Sequence, residues 1–234
     1  NQEIPRPPFW SGFRVVPKYR AFLKTFPSAH RLAYAPLADI LRAWQGLGYN
    51  RRAKFLREAA QTLVRDFSGR FPKDPKDIER LPGVGQYTAR AIATFAFDAP
   101  EVFIETNIRT VFLHHFFKNK RNVLDRQILP LIAETLDRKD PRQWYYALMD
   151  YGAYLKETEG NQNRRSAHYT RQSKFAGSNR QLRGLILKIA LAEGSITALA
   201  LAKKIEKPAN AVRAAADTLL REGLLKKKDK VYLC

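Results

Sequence analysis

The sequence predicts an all-α protein of short helices, closed by a small winged helix-turn-helix unit. Three observations carry that prediction. Apolar residues recur at helical spacing along most of the chain. Pro, Gly and polar clusters punctuate those runs. A strand hairpin is legible only at the end, where Leu224–Leu233 turns at Lys228-Asp229. At 234 residues the chain suits one large or two small domains. Lys and Arg total 42 against 22 Asp and Glu, a net charge of +20. That excess favours a polyanionic partner, nucleic acid before membrane. Cys234 is the only cysteine; an internal disulfide is excluded, which suits a reducing cytoplasm. No apolar run approaches the roughly 20 residues that span a bilayer, and no secretory signal is visible.

In chain order, residues 1–14 read as irregular because Pro5, Pro7 and Pro8 forbid a stable helix. The first residue is Asn1 rather than Met, which suggests a trimmed start. From Val15 the pattern turns helical through Val16, Tyr19, Phe22 and Leu23, and Pro27 ends it. Further helices read at 36–45, 51–66, 74–80, 86–96, 106–117, 126–138 and 141–155. Residues 1–155 are therefore read as one domain. Residues 156–180 form a polar, basic linker containing Arg164, Arg165, His168, Arg171 and Lys174, either solvated or laid along a phosphate backbone. Residues 181–234 read as the second domain. Leu182, Leu185, Ile186 and Ile189 make an apolar stripe, Ser195-Ile196-Thr197 opens a helix through about Ile205, and Pro208 starts another that ends near Gly223. With the terminal hairpin this is a winged-helix pattern, which serves DNA contact or protein interaction.

The stretch Leu81-Pro82-Gly83-Val84-Gly85-Gln86-Tyr87-Thr88 is the sharpest local signal. Pro82 stops the preceding helix. Gly83 and Gly85 permit backbone conformations and close approaches closed to other residues. The helix that follows presents unpaired N–H groups and a positive dipole end, an arrangement that binds a phosphate. An ordinary helix–helix connection fits the same residues.

Four motifs in order resemble the helix-hairpin-helix DNA glycosylases, most of all their adenine-specific branch, over residues 15–155. Trp44–Ala53 looks like W-x-G-L-G-Y-Y-x-R-A, and Phe71-Pro72 with the Leu81–Thr88 hairpin follows at the family's spacing. Glu105–Val111 sits where the family has D-x-N-V-x-R-V, and Leu148–Ala153 resembles M-D-L-G-A. The resemblance implies base-excision repair: a mispaired adenine is extruded from double-stranded DNA and its N-glycosidic bond hydrolysed. It places Glu105 at the carboxylate that stabilises an oxocarbenium-like sugar; an acid favoured by a helix's first turn is the other reading. Asn107 would orient that carboxylate or a phosphate, or simply cap. Tyr87 stands where bifunctional members carry a Schiff-base lysine, so lyase chemistry by that route is unavailable; it would hydrogen-bond the carboxylate, shape the pocket, or pack. Tyr49 looks like the residue wedged into the base stack, with Arg51 and Arg52 beside it as DNA contacts.

The chain departs from the family in three places. The family's catalytic acid lies in an S-E-x-M-L-Q-Q-T helix before Val15; here Glu3 is near that distance, but prolines replace the helix. Lys156 occupies the first of four cysteine positions, so the family's iron–sulfur cluster cannot form; the basic loop 156–180 is the candidate for its role. A winged helix stands in place of the domain that reads 8-oxoguanine. No cofactor is expected beyond a monovalent cation held by carbonyls near Leu81 and Val84. His30, His114, His115 and His168 show no metal spacing. The reading is a monomeric, monofunctional glycosylase acting on mismatched duplex. Its rivals are a non-catalytic DNA- or lesion-binding protein of the same fold, and a thymine-mismatch glycosylase.

Overall fold

A computed structural model describes residues 12–229 and 231–233; Glu3 and the three prolines near it lie outside the described residues. The elements are α1 (Gly12–Thr25), α2 (Ala29–Tyr34), α3 (Leu37–Trp44), α4 (Arg51–Asp66), α5 (Pro75–Glu79), α6 (Gln86–Phe97), α7 (Thr106–Phe116), α8 (Asp125–Thr135), α9 (Pro141–Thr158), a 3-10 turn (Gln162–Arg165), α10 (Asn179–Glu193), β1 (Ser195–Thr197), α11 (Ala198–Ile205), α12 (Ala209–Arg221), β2 (Lys226–Lys228) and β3 (Val231–Leu233). The all-α class with a small terminal sheet is the observed one.

The described residues form two compact units, one of residues 71–171 and one joining residues 12–70 with the described residues from 172 onward. In the first, local signals set the helix starts. The Asp74 carboxylate accepts from the N–H of Lys76 at α5, and Asp140 accepts from Gln143 at α9; both helices carry Pro at their first position. Phe103, Ile108, Leu113, Ile128 and Ile132 bury their side chains in a core centred on Tyr145. The Tyr145 ring stacks on Phe103 with centroids 3.9 Å apart. Its hydroxyl donates to the Glu101 carbonyl at 2.8 Å and accepts from the Phe103 N–H at 3.1 Å. This pins the extended segment that leads into α7.

In the second unit α2–α4 share one core with α10–α12 and the sheet. Ile40, Leu41 and Ala53 are buried together with Ile186, Leu201, Val212, Leu219 and Tyr232. The sheet runs in the order β1-β3-β2, antiparallel throughout, with Ile196 opposite Tyr232. Lys54 Nζ donates to the Glu222 carbonyl at 2.8 Å, and Arg183 pairs with the Glu222 carboxylate. Division by sequence order puts α1–α4 with α5–α9; the shared core puts them with α10–α12. Periodicity reveals that a helix has an apolar face but not which element covers it.

Smaller differences have local causes. Residues 195–197 form strand β1 rather than a first helical turn, because Thr197 stays extended and its hydroxyl caps α11 at Ala200. Helix α2 is unmarked by periodicity over its six residues and is started by the Ser28 cap. Helix α8 stops at Thr135, where Leu136 turns extended with ψ 123°. Part of the 156–180 stretch is ordered as the last turn of α9 and the 3-10 turn.

Burial pushes the Tyr145 phenol from its ordinary value near 10 up to about 12. The unfolded chain therefore loses this proton first, so stability holds below pH 10 and falls as pH rises toward about 12. Tyr145→Phe should flatten that alkaline limb and cost about 1–3 kcal/mol at neutral pH, by leaving two backbone groups unpaired; urea unfolding followed by circular dichroism across this pH range checks both.

Candidate active site and nucleic-acid interface

Leu81 is buried and anchors the α5–α6 hairpin, and the Val84 N–H closes the turn onto the Leu81 carbonyl at 3.0 Å. Gly83 adopts φ +78°, the left-handed region that favours glycine. Pro82, Val84 and Thr88 are half-buried, whereas Gly83, Gly85 and Gln86 are exposed. Gly85 is the N-cap of α6 and offers no side-chain cap. A β-carbon there would meet nothing within 4 Å, so its hydrogen faces open space. The N–H groups of Gln86, Tyr87 and Thr88 have no intrahelical acceptor. No acidic residue in the first turn offsets the positive helix end. An anion placed there would meet these N–H groups and the positive helix end unopposed.

Glu105 is the N-cap of α7, held extended at φ −127°. Its Oε1 accepts from the N–H groups of Asn107 at 2.6 Å and Ile108 at 2.9 Å. Its Oε2 has no hydrogen-bond donor among the described residues. Tyr87, in the first turn of α6, sets its ring edge on Phe103 with centroids 5.6 Å apart. Burial raises the Tyr87 phenol above its usual value and the Glu105 charge raises it further, so the two groups lie within electrostatic reach. They are not hydrogen-bonded to each other in the structure. The ring is 45 % exposed and thus packs and faces outward at once. Asn107 contributes its backbone N–H to Glu105. Both readings of Glu105 meet in one place: it caps a helix and keeps one carboxylate oxygen free.

Two further residues build this corner, and neither is among the site residues read from the sequence. Gly152 on α9 lies against α7 so closely that a β-carbon would sit 2.1 Å from the Asn107 carbonyl oxygen. Its only sequence signal is the glycine of the M-D-L-G-A-like segment. Asn163 is buried, and its Nδ2 donates to the Thr106 carbonyl at 3.0 Å and to Thr110 Oγ1 at 2.6 Å. Thr110 stands at the arginine position of the D-x-N-V-x-R-V pattern; Arg109, one residue earlier, instead grips Asp125 through two bonds of 2.7 Å.

The donor set for an iron–sulfur cluster does not fit, since no cysteine follows Lys156 before Cys234. Hydrogen bonds order that segment instead. Arg165 donates to the carbonyls of Leu113, Phe117 and Lys118, and Val123 bridges Arg165 and Ala167 through bonds of 3.0 and 2.9 Å. No group of three or more His, Cys, Asp or Glu side chains suited to a metal occurs among the described residues. His115 pairs with the Tyr151 hydroxyl at 2.9 Å.

Tyr49, Arg51 and Arg52 belong to the other unit. Gly46 and Gly48 take positive φ, and the Trp44 indole N–H donates to the Gly48 carbonyl at 2.9 Å, folding the loop back. Tyr49 follows at φ +49°, a strained conformation for an aromatic residue, and is 62 % exposed. Its hydroxyl accepts from Gln172 at 2.7 Å. Arg51 lies over the Phe55 ring and Arg52 over the Trp44 ring, with both side chains exposed at the start of α4.

Residues 11–143 match the HhH-GPD superfamily of base excision DNA repair proteins. The chain belongs to that superfamily. Among its relatives, the adenine DNA glycosylase of Mycolicibacterium smegmatis is 32% identical over 233 residues, covering 91% of this chain and 78% of the relative. That of Buchnera aphidicola is 34% identical over 145 residues, 60% of this chain and 40% of the relative. That of Mycobacterium tuberculosis is 36% identical over 143 residues, 60% and 47%. The chain thus spans less than half the length of these last two. A thermostable thymine-DNA glycosylase structure superposes with TM-score 0.53 and 26% identity, over 59% of this chain and 65% of that one. A trapped endonuclease III–DNA covalent intermediate gives 0.51 over 60% and 66%, at 19% identity, a likeness of fold alone. Among the described residues no helix is long and apolar enough to cross a membrane.

For this HhH-GPD protein, Gly152→Ala should force α7 and α9 apart and cost about 3 kcal/mol in denaturant unfolding. Asn163→Ala should cost about 1–3 kcal/mol, since it strips a hydrogen bond from the buried Thr110 hydroxyl. A melting temperature unchanged in both variants would contradict this account of the corner.

Proposed function

We propose that the protein is a monofunctional base-excision glycosylase that hydrolyses the N-glycosidic bond of a mispaired adenine in duplex DNA, acting as a monomer. One observation carries this reading: Glu105, fixed at the start of α7 by two N–H bonds to Oε1, keeps Oε2 without a donor among the described residues, in the same compact unit as the hairpin. The candidate phosphate seat and the carboxylate thus share one compact unit. A duplex gripped at Leu81–Thr88 delivers an extruded nucleotide to that carboxylate; Tyr49, Arg51 and Arg52, in the other unit, are further candidate DNA contacts. As the glycosidic bond breaks, positive charge grows on the sugar, and Glu105 stabilises it. The two helix N–H bonds fix its position beforehand, which favours charge development over ground-state binding. Water completes the hydrolysis. Tyr87 supplies no amine, so no covalent imine forms and the strand stays intact. The adenine relatives support the choice of base. Carbonyls near Leu81 and Val84 are the candidate seat for a monovalent cation that orders the hairpin. Glu3, the acid candidate, lies outside the described residues.

A second reading has its own observation. Glu105 already serves as the α7 cap, a structural role sufficient to explain an acid there. On that reading the protein binds lesions without cutting. Single-turnover excision on duplexes carrying A opposite 8-oxoguanine, A·G and T·G, developed with alkali, separates the two. The proposal expects abasic product on the adenine substrates; product on T·G alone would shift the substrate to thymine. Glu105→Gln keeps an oxygen acceptor for the cap, so folding and binding should persist while excision falls by at least about 100-fold. An unaffected rate would remove Glu105 from the chemistry.

A further inference from the structure

The C-terminal end of α7, away from Glu105, opens into a concavity of about 570 Å³ lined by Lys118, Asn119, Lys120, Arg121, Arg164 and Arg165. Five of its six lining residues are cationic and none is acidic. Elsewhere the arginines commonly meet a carboxylate, as Arg42 does at Asp39, Arg90 at Glu101, Arg109 at Asp125 and Arg183 at Glu222. Lys118, Arg121 and Arg164 have no acidic partner among the described residues. Like charges left unpaired around one concavity repel each other unless an anion enters.

The walls are held in place before any ligand arrives. Both terminal nitrogens of Arg165 are engaged, donating to the Leu113, Phe117 and Lys118 carbonyls and to Gln162 Oε1, while its buried Nε has no partner among the described residues. The Leu113 carbonyl lies in the last turn of α7 and Phe117 is its C-cap, so the cation offsets a negative helix end that would otherwise repel an anion. Asn163 ties the 3-10 turn to α7, and Val123 pairs with Arg165 and Ala167 across the gap. Lys118–Arg121 and Arg164 are thereby set facing one cavity. Helix α7 is 11 residues long, so the pocket sits about 16 Å from Glu105, at 1.5 Å per residue. That is too far to touch the nucleotide being processed.

Resting on the reading of the chain as a duplex-DNA protein, we infer that this pocket clamps the phosphodiester backbone of the DNA arm flanking the processed base, through Lys118, Arg121 and Arg164. An open, predominantly cationic surface suits a repeating polyanion better than a small phosphorylated metabolite. Arg165 is a positioning residue here, not a phosphate ligand.

The test uses the full chain and a 30-base-pair duplex with a central A opposite 8-oxoguanine. Binding is followed by fluorescence anisotropy from 50 to 200 mM salt. The triple variant Lys118→Ala, Arg121→Ala, Arg164→Ala should reduce the slope of log affinity against log salt by about 2–3 and weaken binding roughly 10-fold or more at low salt. Excision at limiting protein should fall in step with the lost affinity. Phosphate-ethylation interference should lose its signal at one cluster of phosphates flanking the lesion and nowhere else. If the triple variant fails to fold, Arg164→Gln alone is read the same way, with a slope change of about 1. Equal slopes, or interference losses spread along the whole duplex, would overturn the clamp. Intact excision with equal slopes removes the clamp and leaves the glycosylase reading; a slope difference without any excision does the reverse. A parent protein that binds no duplex overturns the clamp outright.

Discussion

The geometry of the candidate site depends on how closely α9 approaches the first turn of α7. The Asn107 carbonyl occupies the space that any side chain at Gly152 would fill, so the two helices meet backbone to backbone. Everything that defines the Glu105 corner lies on that contact. The N–H groups that hold Oε1 belong to Asn107 and Ile108, and Thr106 and Thr110 receive Asn163 from the other side. Behind them Tyr145 ties down the segment from Glu101 to Phe103. A shift of this packing moves a carboxylate, and an electrostatic site loses effect steeply when its charge moves.

Charge is distributed as unevenly as packing. The net charge of +20 says only that a polyanion is favoured. The structure divides that excess into arginines neutralised by neighbouring carboxylates, an arginine spent on helix carbonyls, and cations left facing solvent without partners. Only the last group is available to a ligand. The α6 terminus adds a second positive feature made of backbone alone, unopposed by any acid in its first turn.

Much of this was legible in the sequence where the signal is local. Helix α4 falls on its predicted limits, and α6 and α7 fall within a residue of theirs, because glycine, proline and capping residues act within a turn of where they stand. The hairpin and Glu105 were legible for the same reason. What was not legible is long-range. Asn163 reads as one polar residue in a polar stretch, and its value lies in acceptors more than fifty residues away. Strand β1 is three residues long and exists only because β3 pairs with it. The joining of α2–α4 with α10–α12 depends on which apolar faces fit, which periodicity does not encode.

The central claim is that one carboxylate both caps α7 and carries the chemistry, and Glu105→Asp separates these roles most directly. Aspartate is a strong N-cap and keeps the charge, but withdraws it by one methylene. Single-turnover excision of adenine opposite 8-oxoguanine should fall measurably yet stay well above that of Glu105→Gln, with the melting temperature held or raised. A Glu105→Asp variant as inactive as Glu105→Gln, or a Glu105→Gln variant as active as the parent, would contradict the account.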